Sequence, residues 1–501
     1  MTDAPLDVTT DAGPVRGRAT KTARVFLGIR YAEPPVGSRR WTLPQPPRAW
    51  DCVADATRPP ALCPQPGMPT TMVDEDCLFV NVTTPRRASR DPLPVMVWLH
   101  GGGFTTGGGH LYDAARLANQ GNVAVVTVNY RLGVFGYFGF EGLPGSGNFG
   151  LADQIAALDW VKRNAAAFGA DPDNVTVFGQ SAGAMSIGAL LASPAAPRLF
   201  QRAILQSGSP LLHWPRGIMF PRSPEHTPYL PLPAVEQNGA ALAELLECGD
   251  GDVVARLREV PASRLVEHTG LFANSLAFGT PLVPLDPAEA TRTGKVHAVP
   301  IISGATRDEM RPFIAGAAQK TPLTESRLAE LRENSFAQQA SVVAERYPVA
   351  DHGSPALTWA TIATDVSWAF AAFDEHRLWS RSAPVFAYEF ADRSAPDVNG
   401  IAAPRLRMGA AHATELPYLF DLGGENRLSP AQRELADTMI ASWTSFARTG
   451  TPTLDGTPSW RDFGDDESVL QFDETGIRSI DYRERHKLDF WRSVRERLAV
   501  G

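Results

Sequence analysis

Short runs of apolar residues, separated by turn residues and by longer amphipathic segments, form the main pattern of this 501-residue chain. Runs of about four to eight apolar residues are typical of strands that are buried on both faces of a parallel sheet. A shorter run near residues 8–10 indicates one more strand at the amino end. The longer runs predict strands at 25–29, 77–82, 94–99, 123–128, 175–178, 202–206, 299–303 and 384–390.

Between these runs, apolar residues recur at the spacing of a helix. In residues 150–168, Leu151, Ile155, Leu158 and Val161 lie three or four positions apart, as on a helix that packs against a sheet. Strands that alternate with helices imply right-handed crossovers and a mostly parallel sheet, so the pattern predicts an α/β fold. Further helices are predicted at 111–120, 182–192, 234–246, 323–345 and 356–379.

Proline-dense segments interrupt this alternation. Residues 34–60 and 210–233 carry many prolines and are predicted to be irregular chain. No internal repeat, low-complexity linker or break in composition divides the sequence, which predicts one domain over residues 1–501. Two stretches without the regular alternation, 210–280 and 310–380, are predicted to be large excursions that form a lid or the wall of a gorge.

Composition narrows the classes of function. The net charge of −8 and the lack of a dense Lys/Arg run argue against a nucleic-acid partner. No apolar run approaches the roughly 18 residues that a membrane span needs, and the first residues do not resemble a secretory signal. Four cysteines in so long a chain do not indicate a disulfide scaffold. We therefore expect a cytoplasmic protein, although a leader removed before this sequence would leave secretion open; the oligomeric state stays open.

The motif Gly-x-Ser-x-Gly occurs at residues 179–183, with Ser181 at its centre. A β-run precedes it and a run of small and apolar residues follows it, which gives the order strand, tight turn, helix. In this context the motif indicates a nucleophile elbow, a sharp turn that presents a serine at the carboxyl edge of a sheet. The amino end of the helix directs backbone N–H groups toward developing negative charge.

The sequence His-Gly-Gly-Gly-Phe at residues 100–104 directly follows another predicted buried strand. Residues without side chains let backbone amides approach a substrate, as in the oxyanion-binding loop of lipases and esterases. A plain glycine-rich turn is the alternative. A phosphate-binding loop is disfavoured because no Gly-Lys-Ser/Thr follows.

A serine hydroxyl needs a base within hydrogen-bond reach, and a carboxylate to orient that base. In hydrolases built on such an elbow the order along the chain is Ser, then Asp or Glu, then His, which makes His297 a poor base if the acid lies beyond it. The residues alone leave His352, His376, His412 and His486 as candidates. Charged neighbours around His486 predict that it lies on a solvated helix.

Motifs along nearly the whole chain resemble the type-B carboxylesterase/lipase family, which includes bacterial p-nitrobenzyl-type esterases and cholinesterases. The resemblance implies an α/β-hydrolase fold: a central, mostly parallel sheet flanked by helices, with large insertions over the active site. Besides the elbow and the HGGGF segment, the matching segments are FLGIRYAEPPVG at 26–37, EDCLFVNV at 75–82, NYRLG at 129–133, GNFGLADQ at 147–154 and QSGS at 206–209.

The resemblance also implies the remaining catalytic residues. It assigns the acid to Glu309, with Asp308 as the local competitor, and the base to His412. The oxyanion donors that it implies are the backbone amides of three residues, which are Gly102, Gly103 and Ala182.

Other implied features are structural or lie close to the site. The resemblance pairs Cys63 with Cys77 as a possible disulfide, and it implies ion pairs of Arg40 with Glu75 and of Arg131 with Asp153. It makes Ser207 a candidate for supporting the triad, and Trp214 a candidate for lining the acyl pocket. Gln180 stands where many members have Glu, which disfavours a site for cationic alcohols such as choline. Met310 replaces the usual Gly after the acid, and Arg30 replaces a common Pro.

Together these features predict a cofactor-free serine hydrolase that cleaves small-molecule carboxylic esters through an acyl-enzyme. A carbamate or aryl-amide hydrolase using the same triad is the nearest alternative. A non-catalytic binding module of the same fold is a remote one, since Ser181, Glu309 and His412 are all present. A metal hydrolase is disfavoured because no His-Glu-x-x-His or comparable set of metal ligands occurs.

Overall fold

The structure, a computed structural model, describes residues 3–219, 223–401, 406–423, 428–453 and 459–500. A small part of the predicted excursion 210–280, residues 220–222, lies outside the described residues. The strands of the described residues are β1 (Asp7–Thr9), β2 (Pro14–Arg16), β3 (Arg18–Ala19), β4 (Ala23–Arg30), β5 (Ala54–Asp55), β6 (Phe79–Pro85), β7 (Leu93–Leu99), β8 (Ala124–Val128), β9 (Ala170–Gln180), β10 (Arg202–Gln206), β11 (Tyr229–Pro231), β12 (Leu276–Phe278), β13 (Ile301–Thr306), β14 (Val385–Phe390), β15 (Val469–Asp473) and β16 (Gly476–Ile480).

Eleven of these strands form the central sheet, in the order β16-β15-β14-β13-β10-β9-β7-β8-β6-β4-β3. The strands from β8 to β15 in this order pair in parallel, whereas β6, β4 and β3 at one edge and β16 at the other pair antiparallel. This arrangement confirms the predicted mostly parallel sheet. Two small sheets, β1-β2-β5 and β11-β12, lie outside it.

Helices cover both faces of the sheet, and β7 shows why its sequence is almost entirely apolar. Val95 and Val97 point into one hydrophobic core, and the intervening Met96 and Trp98 point into a second core on the other face. A strand that is buried on both sides has no polar face, which explains the continuous apolar run.

Each predicted helical segment contains a helix with shifted ends, and a wide π-helical turn (Thr364–Ala369) interrupts one of them. Other helices were not predicted, including the 20-residue helix Pro430–Thr449. The predicted helix at 323–345 is broken by a 3₁₀ turn (Ala337–Gln339), where Ala337 has a φ of +43°. The helices are α1 (Ala115–Gly121), α2 (Gly133–Tyr137), α3 (Phe149–Asn164), α4 (Ala182–Leu191), α5 (Leu232–Leu245), α6 (Val253–Glu259), α7 (Ala262–Val266), α8 (Pro287–Arg292), α9 (Arg311–Lys320), α10 (Glu325–Phe336), α11 (Ala340–Arg346), α12 (Val349–His352), α13 (Pro355–Ala363), α14 (Phe370–Trp379), α15 (Leu416–Leu419), α16 (Pro430–Thr449), α17 (Phe463–Asp466), α18 (Tyr482–Arg485) and α19 (Leu488–Val500).

The cysteines and ion pairs that the resemblance implied are placed as follows. Cys63 and Cys77 are joined by a disulfide, whereas Cys52 is exposed and Cys248 is buried, both unbridged. Arg40 lies 2.6 Å from Glu75, and Arg131 lies 2.7 Å from Asp153, with both pairs largely shielded from solvent. Among the described residues, no helix combines the length and hydropathy that crossing a membrane requires.

The prediction for His486 is wrong. Its ring is buried, with Nδ1 2.6 Å from Asp365 and Nε2 2.6 Å from Glu389. The charged neighbours in sequence suggested solvent, but the two carboxylates that hold the ring come from distant parts of the chain.

Candidate active site

Ser181 lies between the end of β9 and the first residue of α4. Its backbone has φ +56° and ψ −123°, a conformation that is costly for a residue with a side chain and that is often found at functional sites. The Ser181 N–H donates to the Gln206 carbonyl at 2.9 Å, which ties the turn to the neighbouring strand β10. The strand, the turn and the helix together form the geometry of a nucleophile elbow.

The second glycine of the elbow is required by packing. A Cβ atom on Gly183 would lie 1.9 Å from the carbonyl oxygen of Leu99, the last residue of β7. Because this neighbour is backbone, it cannot move aside as a flexible side chain would. Only glycine therefore lets the first turn of α4 approach the end of β7 so closely.

The glycine loop that follows β7 lies beside Ser181. Gly102 has φ +110° and Gly103 has φ +60°, and a Cβ on Gly102 would lie 2.2 Å from the Thr106 carbonyl oxygen. The amides of Gly102 and Gly103 donate to no acceptor in the described part of the chain, and both residues line the same cavity as Ser181. Ala182, the third predicted oxyanion residue, begins α4, where the first backbone N–H groups have no partner within the helix.

His100 anchors this loop. Its ring is buried and stacks on Tyr130 with ring centres 4.3 Å apart, and the Tyr130 hydroxyl donates to the His100 carbonyl at 2.6 Å. Burial lowers the pKa of His100 to about 4. The ring is therefore neutral near pH 7 and acts as a packed support of the loop.

His412 and Glu309 meet in one hydrogen bond, 2.5 Å from Nδ1 to Oε2. The other oxygen of this buried carboxylate accepts from the Thr306 N–H at 2.8 Å, which fixes its orientation. Asp308 points elsewhere, and its carboxylate lies 2.6 Å from Arg311 and 3.1 Å from Arg393. The structure thus brings Glu309, and not Asp308, to the imidazole. An Nδ1–H that donates to Glu309 leaves the lone pair of Nε2 free to act as an acceptor.

The side-chain amide of Gln180 contacts this Nε2 atom. Its side-chain Nε2 lies 3.1 Å from His412 Nε2, and in the described residues no hydrogen bond joins the Ser181 hydroxyl to His412. Ser181 and His412 nevertheless line the same cavity. The arrangement can carry out acyl transfer once the hydroxyl replaces the amide at Nε2, a rearrangement that substrate-free sites commonly need.

The cavity has a volume of about 720 Å³, within the usual range for small-molecule sites. Trp214, the candidate for the acyl pocket, lines this cavity and stacks on His226 with ring centres 4.7 Å apart. Its indole N–H has no hydrogen-bond partner in the described residues. The described lining contains no carboxylate, so the cavity offers apolar surface and a few neutral polar groups.

Two aromatic contacts of His412 were not predicted from the sequence. The Trp368 and Phe313 rings lie 5.0 Å and 5.4 Å from the imidazole, measured between ring centres. Trp368 belongs to the π-helical turn, and its indole N–H donates to the sulfur of Met310 at 3.1 Å. A single wide turn leaves no periodic pattern in the sequence. The one sequence feature that drew attention to this region was Met310, which replaces the family's usual Gly.

Glu415 was missed as well, although it lies in the same short segment as His412. Burial, and then the charge of Glu309, raise the pKa of Glu415 to about 7. Its carboxylate accepts from Gln206 at 3.2 Å. A second buried carboxyl group thus lies close enough to Glu309 for the two charges to interact.

Ser207 is buried with φ +50°, but its hydroxyl has no hydrogen-bond partner among the described residues and it does not line the cavity. Its supporting role stays a prediction. The described residues contain no group of three or more His, Cys, Asp or Glu side chains placed to hold a metal ion.

Comparisons with known proteins give the family and the fold. A model described as the carboxylesterase family matches residues 4–491. The para-nitrobenzyl esterase of Bacillus subtilis (strain 168) is 35% identical over 504 residues, which cover 96% of this chain and 98% of that protein. Human cocaine esterase is 31% identical over 530 residues, covering 97% and 91% of the two chains. A solved structure of PNB esterase superimposes with a TM-score of 0.78 at 34% identity, covering 96% of this chain and 99% of its own.

Proposed function

Because the chain belongs to the carboxylesterase family and is an ester hydrolase with the α/β-hydrolase fold, we propose that Ser181, His412 and Glu309 are its catalytic triad. The observation that carries this proposal is the 2.5 Å contact between His412 and Glu309 beside the cavity that Ser181 also lines. The elbow supplies the nucleophile, and the contact supplies an oriented base.

In the proposed reaction His412 Nε2 accepts the proton of Ser181 as Oγ attacks the ester carbonyl carbon. The carbonyl oxygen becomes an oxyanion, which accepts hydrogen bonds from the amides of Gly102, Gly103 and Ala182. His412 then protonates the leaving alcohol, and Glu309 stabilises the imidazolium during both steps. Water repeats the sequence on the acyl-enzyme and releases the acid.

We further propose that the preferred substrates are uncharged esters with apolar acyl or alcohol groups. The lining supports this, since aromatic and aliphatic side chains dominate it and no described carboxylate is present to bind a cation. Trp214 and His226 come from the excursion 210–280, and Phe313 and Trp368 from 310–380. We therefore assign both excursions to the walls of the substrate site of a one-domain enzyme.

The triad is tested by labelling with a fluorophosphonate, which reacts with activated serines. We expect one label per chain, none in Ser181→Ala, and a fall of about 10⁶ in the turnover of p-nitrophenyl acetate by that variant. Ser193→Ala removes another buried serine hydroxyl and should label normally. Near-native hydrolysis by Ser181→Ala would rule out the assignment.

The substrate proposal is tested with matched pairs. Choline butyrate and 3,3-dimethylbutyl butyrate share a shape but differ in charge, so the neutral ester should have the larger kcat/KM. A reversed preference would contradict the proposal. Carbamate and anilide analogues of the same acyl group show whether the alternative amide-type activity exceeds ester cleavage.

The cytoplasmic location stays a prediction. The disulfide between Cys63 and Cys77 favours an oxidising compartment, because such bonds are rare in reducing cytosol. Native cells are quenched in denaturant that contains an alkylating reagent, so that the buried cysteines also react, and the mass of the protein then distinguishes the two compartments. Two alkylated thiols support an oxidising compartment, and four support the cytoplasm.

A further inference from the structure

A second cavity, of about 590 Å³, lies apart from the serine cavity and shares no lining residue with it. Its wall is formed in part by Asp308, which directly precedes Glu309 and whose N–H donates to the Ala410 carbonyl at 2.9 Å. The cationic side chains that line it are Arg307, Arg311, Arg393, Arg407, Arg485 and Lys487.

The charge in this cavity is opposite to that of the chain. Six cationic side chains line it against three carboxylates, those of Asp308, Asp351 and Asp365, whereas the whole chain carries −8. His352 and His486 complete the titratable lining. A cavity whose lining carries an excess of positive charge attracts anions, because its low-dielectric walls focus the field.

Only part of this positive charge is paired within the protein. Asp308 lies 2.6 Å from Arg311 and 3.1 Å from Arg393, and Arg485 pairs with Glu389 behind the wall. By contrast, Arg307 and Arg407 make no ion pair with any carboxylate in the described part of the chain.

Lys487 is the third cation without a carboxylate partner among the described residues. Its ammonium lies 4.4 Å from the centre of the Tyr347 ring, a cation–π contact. This contact leaves the positive charge uncompensated by an acid.

Arg307 shows that the cationic side chains of this cavity repel one another. Its pKa is lowered, first by burial and then by the nearby charges of Arg393 and Arg485. The charges of Glu389 and Asp308 offset part of this repulsion, and a bound anion would offset more of it.

We propose that this cavity binds a small multivalent oxyanion, such as a phosphate ester or a polycarboxylate. Guanidinium groups match both anions because their planar N–H donors form paired, charge-assisted hydrogen bonds with two oxygens. The volume suits a small molecule. The site is independent of the triad assignment, since it uses none of the triad side chains.

Inorganic pyrophosphate is the first probe, titrated calorimetrically at low ionic strength so that screening is weak. We expect saturable binding of one pyrophosphate per chain. Arg307→Gln, Arg407→Gln and Lys487→Gln should each weaken it by about tenfold or more, the usual effect of losing one charged hydrogen bond. Arg18→Gln is the matched control, because it removes an exposed charge from β3 at the far edge of the sheet, and its affinity should be unchanged.

Thermal unfolding provides a second readout, since a ligand that binds only the folded state raises Tm. Arg407 is exposed, so its variant keeps the test valid if the other two fold poorly. A citrate titration separates the sources of the anion: tighter binding than pyrophosphate indicates a polycarboxylate, and weaker binding a phosphate ester. The proposal is overturned if neither anion binds saturably, or if Arg18→Gln weakens binding as much as the cavity variants do.

Discussion

The segment that carries Ser181 and the segment that carries His412 meet in one cavity but are held in different ways. Ser181 sits on a turn whose shape comes from its own neighbours: β9 before it, α4 after it, and a glycine that lets α4 approach β7. His412 is held mainly by residues far away in sequence, since Glu309 is 103 positions distant and Gln180 is 232.

This difference has a practical consequence. The position of Ser181, the proposed nucleophile, depends on backbone packing, so steric changes near it should lower the stability of the fold before they change the chemistry. The position of His412, the proposed base, depends on a few polar contacts, so changes of charge should alter its chemistry while leaving the fold intact. The comparison would be contradicted if a steric change near Ser181 altered only the chemistry, or if a change of charge near His412 altered only the stability.

Among changes to the residues that hold His412, the largest effect is expected for Glu309→Gln. The amide keeps the size of the carboxylate but cannot stabilise the imidazolium, and loss of the acid's charge from such a triad costs about 10⁴ in kcat. Steady-state kinetics on p-nitrophenyl acetate measure the loss. Thermal unfolding should change little, because the contact to the Thr306 N–H is retained by the amide oxygen.

Asp308→Asn is the matched control for Glu309→Gln. Its side chain faces Arg311 and Arg393 and not His412, so kcat should change far less. Equal losses in the two variants would contradict the choice of Glu309 as the acid.

A steric change at the elbow should act on stability. Gly183→Ala places a Cβ 1.9 Å from the Leu99 carbonyl oxygen, and such overpacking against backbone should reduce the free energy of unfolding by roughly 3 kcal/mol or more. Urea unfolding measures it. Gly316→Ala in α9 has open space around the new methyl group and should be neutral or slightly stabilising. A normal stability of Gly183→Ala would remove the steric explanation of the motif.

The same contrast explains what the sequence predicted and what it did not. The determinants of the elbow lie within about a dozen adjacent residues, so its strand, turn and helix were readable from the pattern. The choice of Glu309 and His412 needed the family resemblance, because nothing in the local pattern separates them from other acids and histidines.

The strands β15 and β16 went unpredicted, and for β16 the reason lies in its place in the sheet. β16 is an edge strand with mostly exposed side chains, so it lacks the apolar run that marked the buried strands. His486 shows the same limit, since Asp365 and Glu389 lie 121 and 97 positions away from it.

His486 predicts a pH-dependent stability. Burial alone would lower the pKa of His486, but the carboxylates of Asp365 and Glu389 raise this pKa from 6.5 to about 9. The protonated ring therefore stabilises the folded state fully below about pH 6.5, and this contribution is lost as the pH rises through about 9. His486→Gln should lower the free energy of unfolding by roughly 3 kcal/mol at pH 6 and much less above pH 9.

Urea unfolding of the two proteins across this pH range measures the difference. His268→Gln is the control, since this half-buried histidine forms no ion pair in the described part of the chain. A difference between His486→Gln and the parent that stays constant with pH would show that the two carboxylates do not hold a charged ring.

The smallest predicted effect lies where the two segments meet. Gln180 closes the elbow strand and contacts Nε2 of His412, so Gln180→Glu adds a negative charge beside the base without moving the backbone. A carboxylate there favours the protonated imidazole, which cannot accept the serine proton. The acidic limb of the kcat/KM profile should therefore move to higher pH by about one unit, while the rate above that limb persists.

Gln201→Glu, which keeps the acceptor for the Val175 N–H away from the cavity, should leave the profile in place. An unmoved limb in Gln180→Glu would mean that the side chain at position 180 does not stay close enough to the imidazole in the working enzyme for its charge to act on His412.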